Sequence, residues 1–281
     1  MPLNSALWVV ATPLGNLGDI TFRAVEVLKK SHLILAEDTR SAGTLLKNLH
    51  ITGKKFLSLH EHNELRRMHQ VAARIMEGSD CALISEAGTP LMADPGYRLV
   101  RHCCDLGLKV IPVPGPCSFV AALTASGLPP YPFAFLGFLP RKQTELEKTF
   151  GLWKDMPVTL VFFERKNRIL PSLQTASRIL GAREYCLARE LTKKFEEFIR
   201  GNLENISLDQ EKLLGELTVI IGPSLAAGPA SDPESVEKLL NYYMEQGLKP
   251  KDVVHRVQNN SRGWSSKEIY ALMLKMRSKS H

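Results

Sequence analysis

Three apolar runs in this chain close in the same way, and that shared ending constrains the fold most. Leu7 to Ile20 reads LWVVATPLGNLGDI, Cys81 to Gly96 reads CALISEAGTPLMADPG, and Lys109 to Ser118 reads KVIPVPGPCS. Each run stops at a turn of Gly, Pro and small polar residues. Short apolar runs bounded by turn residues mark buried, parallel strands. Small residues directly after a strand let backbone approach a ligand. In open α/β sheets, ligands sit beyond the carboxyl ends of the strands. The second stretch alone is equally well explained as a strand, a turn and a helix start. Three such endings together suggest one binding rim.

Further strands are expected at 33–36 and 54–59, with the first at 6–12 and the others at 81–84 and 108–113. Helical patterns alternate with them: Thr21 to Lys30 (Asp19 or Thr21 as N-cap), a helix ending at Leu49, one ending near Glu77, Tyr97 to Leu106, and one from Ser118. Alternation implies a parallel sheet covered on both faces. Leu128-Pro-Pro-Tyr-Pro132 is the clearest linker, which puts a first α/β domain at 1–128. A second α/β domain, 129–230, opens with FAFLGF. Strands are expected in it at 157–163, 184–188 and 216–221, with a helix at 169–180. Gly228 to Pro233 is a second linker. The last segment, 231–281, holds helices at 234–245, 250–258 and 265–276. The latter two, joined by Asn-Asn-Ser-Arg-Gly, resemble a helix-turn-helix. A helical cap packed on the second domain explains them equally well.

The 281 residues suit this division, and 44% hydrophobic with 23% charged residues is ordinary for a soluble protein. No apolar run is long enough for a membrane helix, and the N-terminus lacks a signal-peptide pattern. Of five cysteines, without a Cys-x-x-Cys pair, four read as small hydrophobes, the usage of a reducing cytosol. A cytoplasmic location is expected. The net charge of +7 favours a polyanionic partner, and Lys249, Lys251, Arg256, Lys267 and Lys275 concentrate it in the tail. No Gly-x-Gly-x-x-Gly or Gly-Lys-Ser/Thr loop is present. This argues against nicotinamide and ATP enzymes and against the usual Rossmann methyltransferase glycine pattern.

Seven stretches in order, VATPLGNLGDIT, LAEDTRSAGTLL, HEHNE, SEAGTPLMADPGY, VPGPCSFVAAL, GFLPRK and ARELTK, resemble the small-subunit ribosomal RNA 2′-O-ribose methyltransferase I family. That family has the tetrapyrrole methylase fold. The resemblance implies two α/β domains with S-adenosylmethionine in the cleft between them, a mixed second sheet and a homodimer. It also implies small-subunit ribosomal RNA as partner and a cytidine ribose as target, with no membrane partner. Pro13 and Gly15 then lie at the cleft floor. Ala87, Gly88, Thr89 and Met92 flank the methionine part of the cofactor. Cys117, Ser118 and Phe163 complete the cofactor site, with Glu164 at the same strand end. Glu86 stands where the relatives more often carry Asp, and could bond the ribose or amino group. The stretch Phe163 to Arg168 departs from the family's aromatic-Glu-Ser-Pro-His-Arg pattern, keeping Glu164 and Arg168.

Methyl transfer to a ribose hydroxyl needs in-line alignment and help with a proton. Asp38 and Glu190 are candidates to accept that proton or orient a water, and Arg40, Arg189 and Lys193 to hold phosphates. Surface ion pairs or helix caps are the plain alternative for all five. The motif match favours function for Asp38, Arg40 and Arg189. Arg141 and Lys142 are candidates to touch RNA backbone. His60, His62 and Glu64 suggest a metal, but no third ligand is marked by spacing; a polar loop near the RNA is the preferred reading, and no metal is expected. Two other functions fit the same residues: a methylase of a tetrapyrrole precursor, and a non-catalytic RNA-binding protein of ribosome assembly.

Overall fold

Parallel strands buried on both faces organise the first half of the chain. The computed structural model describes residues 5–209, 213, 215–224, 231–261 and 263–279; the linker positions 228–230 and Arg262 lie outside them. The first sheet contains β1 (Ala6–Val10), β2 (Leu33–Ala36), β3 (Lys55–Ser58), β4 (Cys81–Ile84) and β5 (Lys109–Val113). Its order is β3-β2-β4-β1-β5, every pair parallel. Side chains alternate between faces along each strand. Leu33, Leu35, Cys81 and Leu83 face α3 (Glu64–Met76) and α4 (Tyr97–Asp105). Ile34, Ala36, Ala82 and Ile84 face α1 (Phe22–Lys30) and α2 (Thr39–Asn48). Burial pushes the Cys81 thiol up to about 12 and Cys103 up to about 11, so both act as small hydrophobes.

The second sheet has order β6-β7-β10-β8-β9: β6 (Phe133–Phe138), β7 (Thr159–Arg165), β8 (Glu184–Arg189), β9 (Glu197–Asn202) and β10 (Glu216–Ile221). Only β6 and β7 pair in parallel, so the sheet is mixed, as the resemblance implied. One face packs on α6 (Gln143–Leu152) and α7 (Ile169–Leu180) through Phe150, Phe162, Leu173 and Val219.

The other face is filled by α5 (Ser118–Ala125), the last helix before the linker. Phe119, Ala122 and Leu123 pack on Val161, Cys186, Ala188 and Ile220. This is the main apolar joint between the two halves. Each such buried side chain contributes roughly 1.5–3 kcal/mol. Leu128 belongs to this cluster, so a cut at 128 passes through packed structure. Arg200 of β9 closes the joint, donating Nε to the Ser126 carbonyl at 2.8 Å and Nη2 to the Ala125 carbonyl at 2.7 Å.

The C-terminal α8 (Pro233–Glu245), α9 (Pro250–Asn260) and α10 (Ser266–Lys279) bury Val236, Leu240, Val257, Ile269 and Met273 among themselves. They form a three-helix cluster with its own core. Two elements carry little sequence pattern. In α6 only Leu146 and Phe150 are buried. In β9, an edge strand, Glu197, Arg200 and Asn202 break the apolar run.

Arg200→Ala leaves the last carbonyls of α5 without those donors. It should lower unfolding stability by about 1–2 kcal/mol in chemical denaturation. Unchanged stability would mean that water replaces both bonds without cost.

Candidate active site

Just past β1, the Ala11 N–H still donates to the Val113 carbonyl of β5, and the chain then turns to a new partner. Thr12 and Gly88 exchange both backbone hydrogen bonds, N–H to O at 2.9 and 3.1 Å. The turns after β1 and β4 are thereby joined. The Ser85 hydroxyl donates to the Gly88 carbonyl at 2.9 Å, and the Thr12 hydroxyl to the Ser85 carbonyl at 3.2 Å. The Thr89 hydroxyl donates to the Pro116 carbonyl at 2.9 Å, which ties in the turn after β5. Gly88 has φ +79°, and a Cβ there would meet Leu14 Cδ2 at 2.9 Å, so only glycine fits without displacement. Thr12 and Ser85, the pins of this cradle, were not singled out in the sequence; their only signal was being hydroxyls at strand ends.

The expected cofactor residues fall into two groups here. Met92, Cys117 and Phe163 pack against the cluster around α5, as does Leu14, which was not among them. Pro13, Ala87, Gly88, Thr89 and Ser118 belong to the joined turns, while Gly15 and Glu86 are exposed. The second sheet reaches this edge through the loop after β8. Thr192 Oγ1 accepts from the Asn16 N–H at 3.1 Å, and the Lys193 stem lies against Gly15, where a Cβ would collide with its Cγ. The Phe138 ring stands 5.4 Å from that of Phe163.

The expected catalytic residues are mostly engaged with one another. Asp38 caps α2, accepting from the Arg40 N–H at 2.8 Å and from the Arg40 guanidinium at 3.2 Å. Arg40 and then its backbone N–H hold the Asp38 carboxyl below the usual range, and the Arg40 side chain is 92% exposed. Glu190 accepts from the Glu216 N–H and from Lys193 Nζ, both at 3.1 Å; these bonds, the backbone one foremost, hold its carboxyl low. Arg189 pairs with Glu197 at 2.9 Å. Glu164 lies furthest from a reacting role. Its fully buried carboxylate accepts from the Arg165 N–H at 3.0 Å and from Ser172 Oγ at 2.6 Å, and pairs with Arg168 at 3.4 Å. Arg168 in turn donates to the Leu139 and Pro140 carbonyls. Glu164 thus anchors the β6–α6 connection and keeps the 163–168 turn in shape without the family's proline. Arg141 and Lys142, just after that anchor, are exposed.

The HEHNE stretch holds a structural device. Among the described residues no cluster of three metal-ligating side chains exists. Glu64 is buried and accepts from the Leu99 N–H at 3.1 Å. It caps α4, whose own cap residue Gly96 has no side chain to offer, and so fixes the far end of the 85–96 loop. Within that loop Leu91 and Ala93 adopt positive φ, at 69° and 80°, a strained state that needs such anchoring. Asp94 faces Glu37 and Glu86 there. Burial first, then those two carboxylates, push its carboxyl up to about 6.

A family model for the Tetrapyrrole (Corrin/Porphyrin) Methylases matches residues 6–207. The chain belongs to this family. It is 37% identical to a Ribosomal RNA small subunit methyltransferase I of Micromonospora olivasterospora, covering 95% of this chain and 87% of the relative. It is 43% identical to the protein of that name in Escherichia coli O157:H7, covering 76% and 77%. The Rickettsia prowazekii relative of the same name is 36% identical over 98% of both chains. The resemblance to the ribosomal RNA methyltransferase I branch is therefore borne out. Among solved structures, the methyltransferase CobJ is similar with a TM-score of 0.58 and 16% identity, covering 80% of this chain and 97% of CobJ. A uroporphyrin-III-C-methyltransferase from Thermus thermophilus gives 0.54 and 19%, covering 78% and 94%. At such identity they establish the fold alone.

Two outcomes follow for this member of the tetrapyrrole methylases. Glu64→Ala should cost about 1–2 kcal/mol in chemical denaturation, and Glu64→Gln, which keeps an acceptor oxygen, much less. Equal losses would remove the capping role. Asp94 has its folded-state pKa raised, so its ionised form is disfavoured in the fold. Stability is then lost as pH rises through about 6. Asp94→Asn removes that loss. Its unfolding free energy should exceed the parent's at pH 8 by on the order of 1 kcal/mol after solvent screening, and the gap should close as pH falls toward the ordinary aspartate range. A gap independent of pH would contradict this.

Proposed function

We propose that this chain transfers a methyl group from S-adenosylmethionine to the ribose 2′-oxygen of a cytidine in small-subunit ribosomal RNA. The observation that carries this reading is likeness along nearly the whole chain, helical tail included, to relatives named for that RNA. The tetrapyrrole-precursor alternative has the breadth of the family model and solved structures at 16–19% identity behind it, against the 36–43% identity of the ribosomal RNA methyltransferases. A binding-only protein would have no use for the glycine-pinned cradle.

The donor set of the cradle suits the cofactor. Leu14, Met92, Cys117 and Phe163 offer apolar walls beside backbone carbonyls, and Glu86 offers a carboxylate to a cationic group. When bound, S-adenosylmethionine supplies a methyl carbon activated by a sulfonium. Gly88 and Gly15 let backbone come close, Thr89 keeps the two turns together, and the Thr192–Lys193 loop closes the edge from the second sheet. Asp38 and Glu190, held low, orient Arg40 and Lys193 and are weak proton acceptors. Asp94, whose proton affinity is raised by burial and by Glu37 and Glu86, is tuned to take the ribose proton. Arg40, Arg189 and Lys193 hold RNA phosphates, and Glu164 acts by positioning. A homodimer, expected of the family, is part of the proposal and is read by sedimentation.

The test is transfer of label from S-adenosylmethionine to small ribosomal subunits lacking this modification, with nuclease mapping. Label on one ribose oxygen is expected, and none with Gly88→Trp, which displaces Leu14 and fills the cradle; that variant should keep the parent's circular dichroism, melt at a lower temperature and lose calorimetric binding of the cofactor. Label on a tetrapyrrole instead, or unchanged binding by the variant, would overturn the reading.

A further inference from the structure

The carboxyl edge of the strands carries a feature that cofactor binding does not use. Three exposed aromatic rings stand on it, each next in sequence to a cation. Phe22, 93% exposed, opens α1 beside Arg23, and Tyr97, 70% exposed, opens α4 beside Arg98. Phe195, 66% exposed, lies in the β8–β9 loop with Lys194 Nζ 5.6 Å from its ring centroid. All three cations are exposed, and none pairs with a carboxylate among the described residues.

Their placement follows from topology. Helices that follow parallel strands begin at the carboxyl edge, and β1 and β4, which precede Phe22 and Tyr97, are neighbours in the sheet. The Phe195 loop touches that edge through Thr192 and Asn16. Phe22 and Tyr97 thus open helices on opposite faces of the first sheet, both at the edge where the candidate site lies, and the Phe195 loop meets that edge from the second sheet. An exposed ring beside an exposed cation offers a stacking face and a positive charge together. A second copy docking ring to ring would bring unpaired cations against unpaired cations. A polyanion with free aromatic faces meets both demands. Single-stranded RNA has such faces, whereas duplex RNA hides its bases in the stack.

We propose that this rim binds a single-stranded stretch of RNA flanking the target nucleotide. Phe22, Tyr97 and Phe195 stack on unpaired bases, and Arg23, Arg98 and Lys194 meet the adjoining phosphates. The inference rests on the ribosomal RNA reading and deepens it: the segment presented to the enzyme is locally unpaired.

The test uses the full chain and fluorescence anisotropy. One probe is a labelled, unstructured RNA of about ten nucleotides; the other is that strand annealed to its complement. Cofactor affinity is measured in parallel by calorimetry. The single strand should bind more tightly than the duplex. Phe22→Ala and Phe195→Ala should each weaken it roughly tenfold, with tryptophan at either position restoring affinity and the cofactor constant unmoved. Arg23→Ala should shallow the salt dependence. Equal affinity for both probes, or alanine variants that bind like the parent, would overturn the proposal. So would alanine variants that turn a dimer into a monomer while binding RNA normally, since the rim would then be a self-association surface. A parent that binds the cofactor but neither RNA, or RNA binding indifferent to the rings, strikes the rim alone; the ribosomal RNA reading falls only if small subunits also take no label.

Discussion

The reciprocal backbone pair between Thr12 and Gly88 is the constraint on which the candidate site depends. It joins two turns that leave adjacent parallel strands and would otherwise diverge. Once they are joined, the Ser85 and Thr12 hydroxyls and the Thr89–Pro116 bond have fixed partners. The glycine is required because its φ is positive and Leu14 leaves no room for a Cβ. Buried backbone groups that would cost free energy if left unpaired are thereby satisfied without regular strand structure.

A second constraint acts across the two halves. Helix α5 begins in the third turn of the cradle and ends under Arg200. Its apolar face is the far side of the second sheet's core. The same helix therefore sets the cleft floor and docks the two sheets. The β8–β9 loop meets the floor from the other side, so the site has walls from both halves, held by one apolar joint and one strap of polar contacts.

Much of this was legible in the sequence because parallel, fully buried strands write continuous apolar runs. LILA and CALI appear as strands with the limits the pattern gave. Edge elements write weaker patterns: β9 mixes Glu, Arg and Asn with its apolar residues, and α6 shows two buried positions only. The site divides in the same way. The Gly/Pro turns announced a rim, but which hydroxyls pin them depends on contacts seventy residues apart in sequence, as for Thr12 with Ser85. Glu64 looked like a metal ligand beside two histidines, and burial against α4 made it a helix cap. Asp94 stood in a quoted motif without a role, because its raised proton affinity comes from burial and from Glu37, which lies far from it in the chain.

The central claim is that S-adenosylmethionine binds where the carboxyl edges of the two sheets meet. Amide hydrogen exchange with and without the cofactor tests this most directly. The account predicts protection concentrated at residues 11–18, 85–92, 115–118 and 190–196. Protection confined to 60–64 or to the C-terminal helices, with those four segments unchanged, would contradict it.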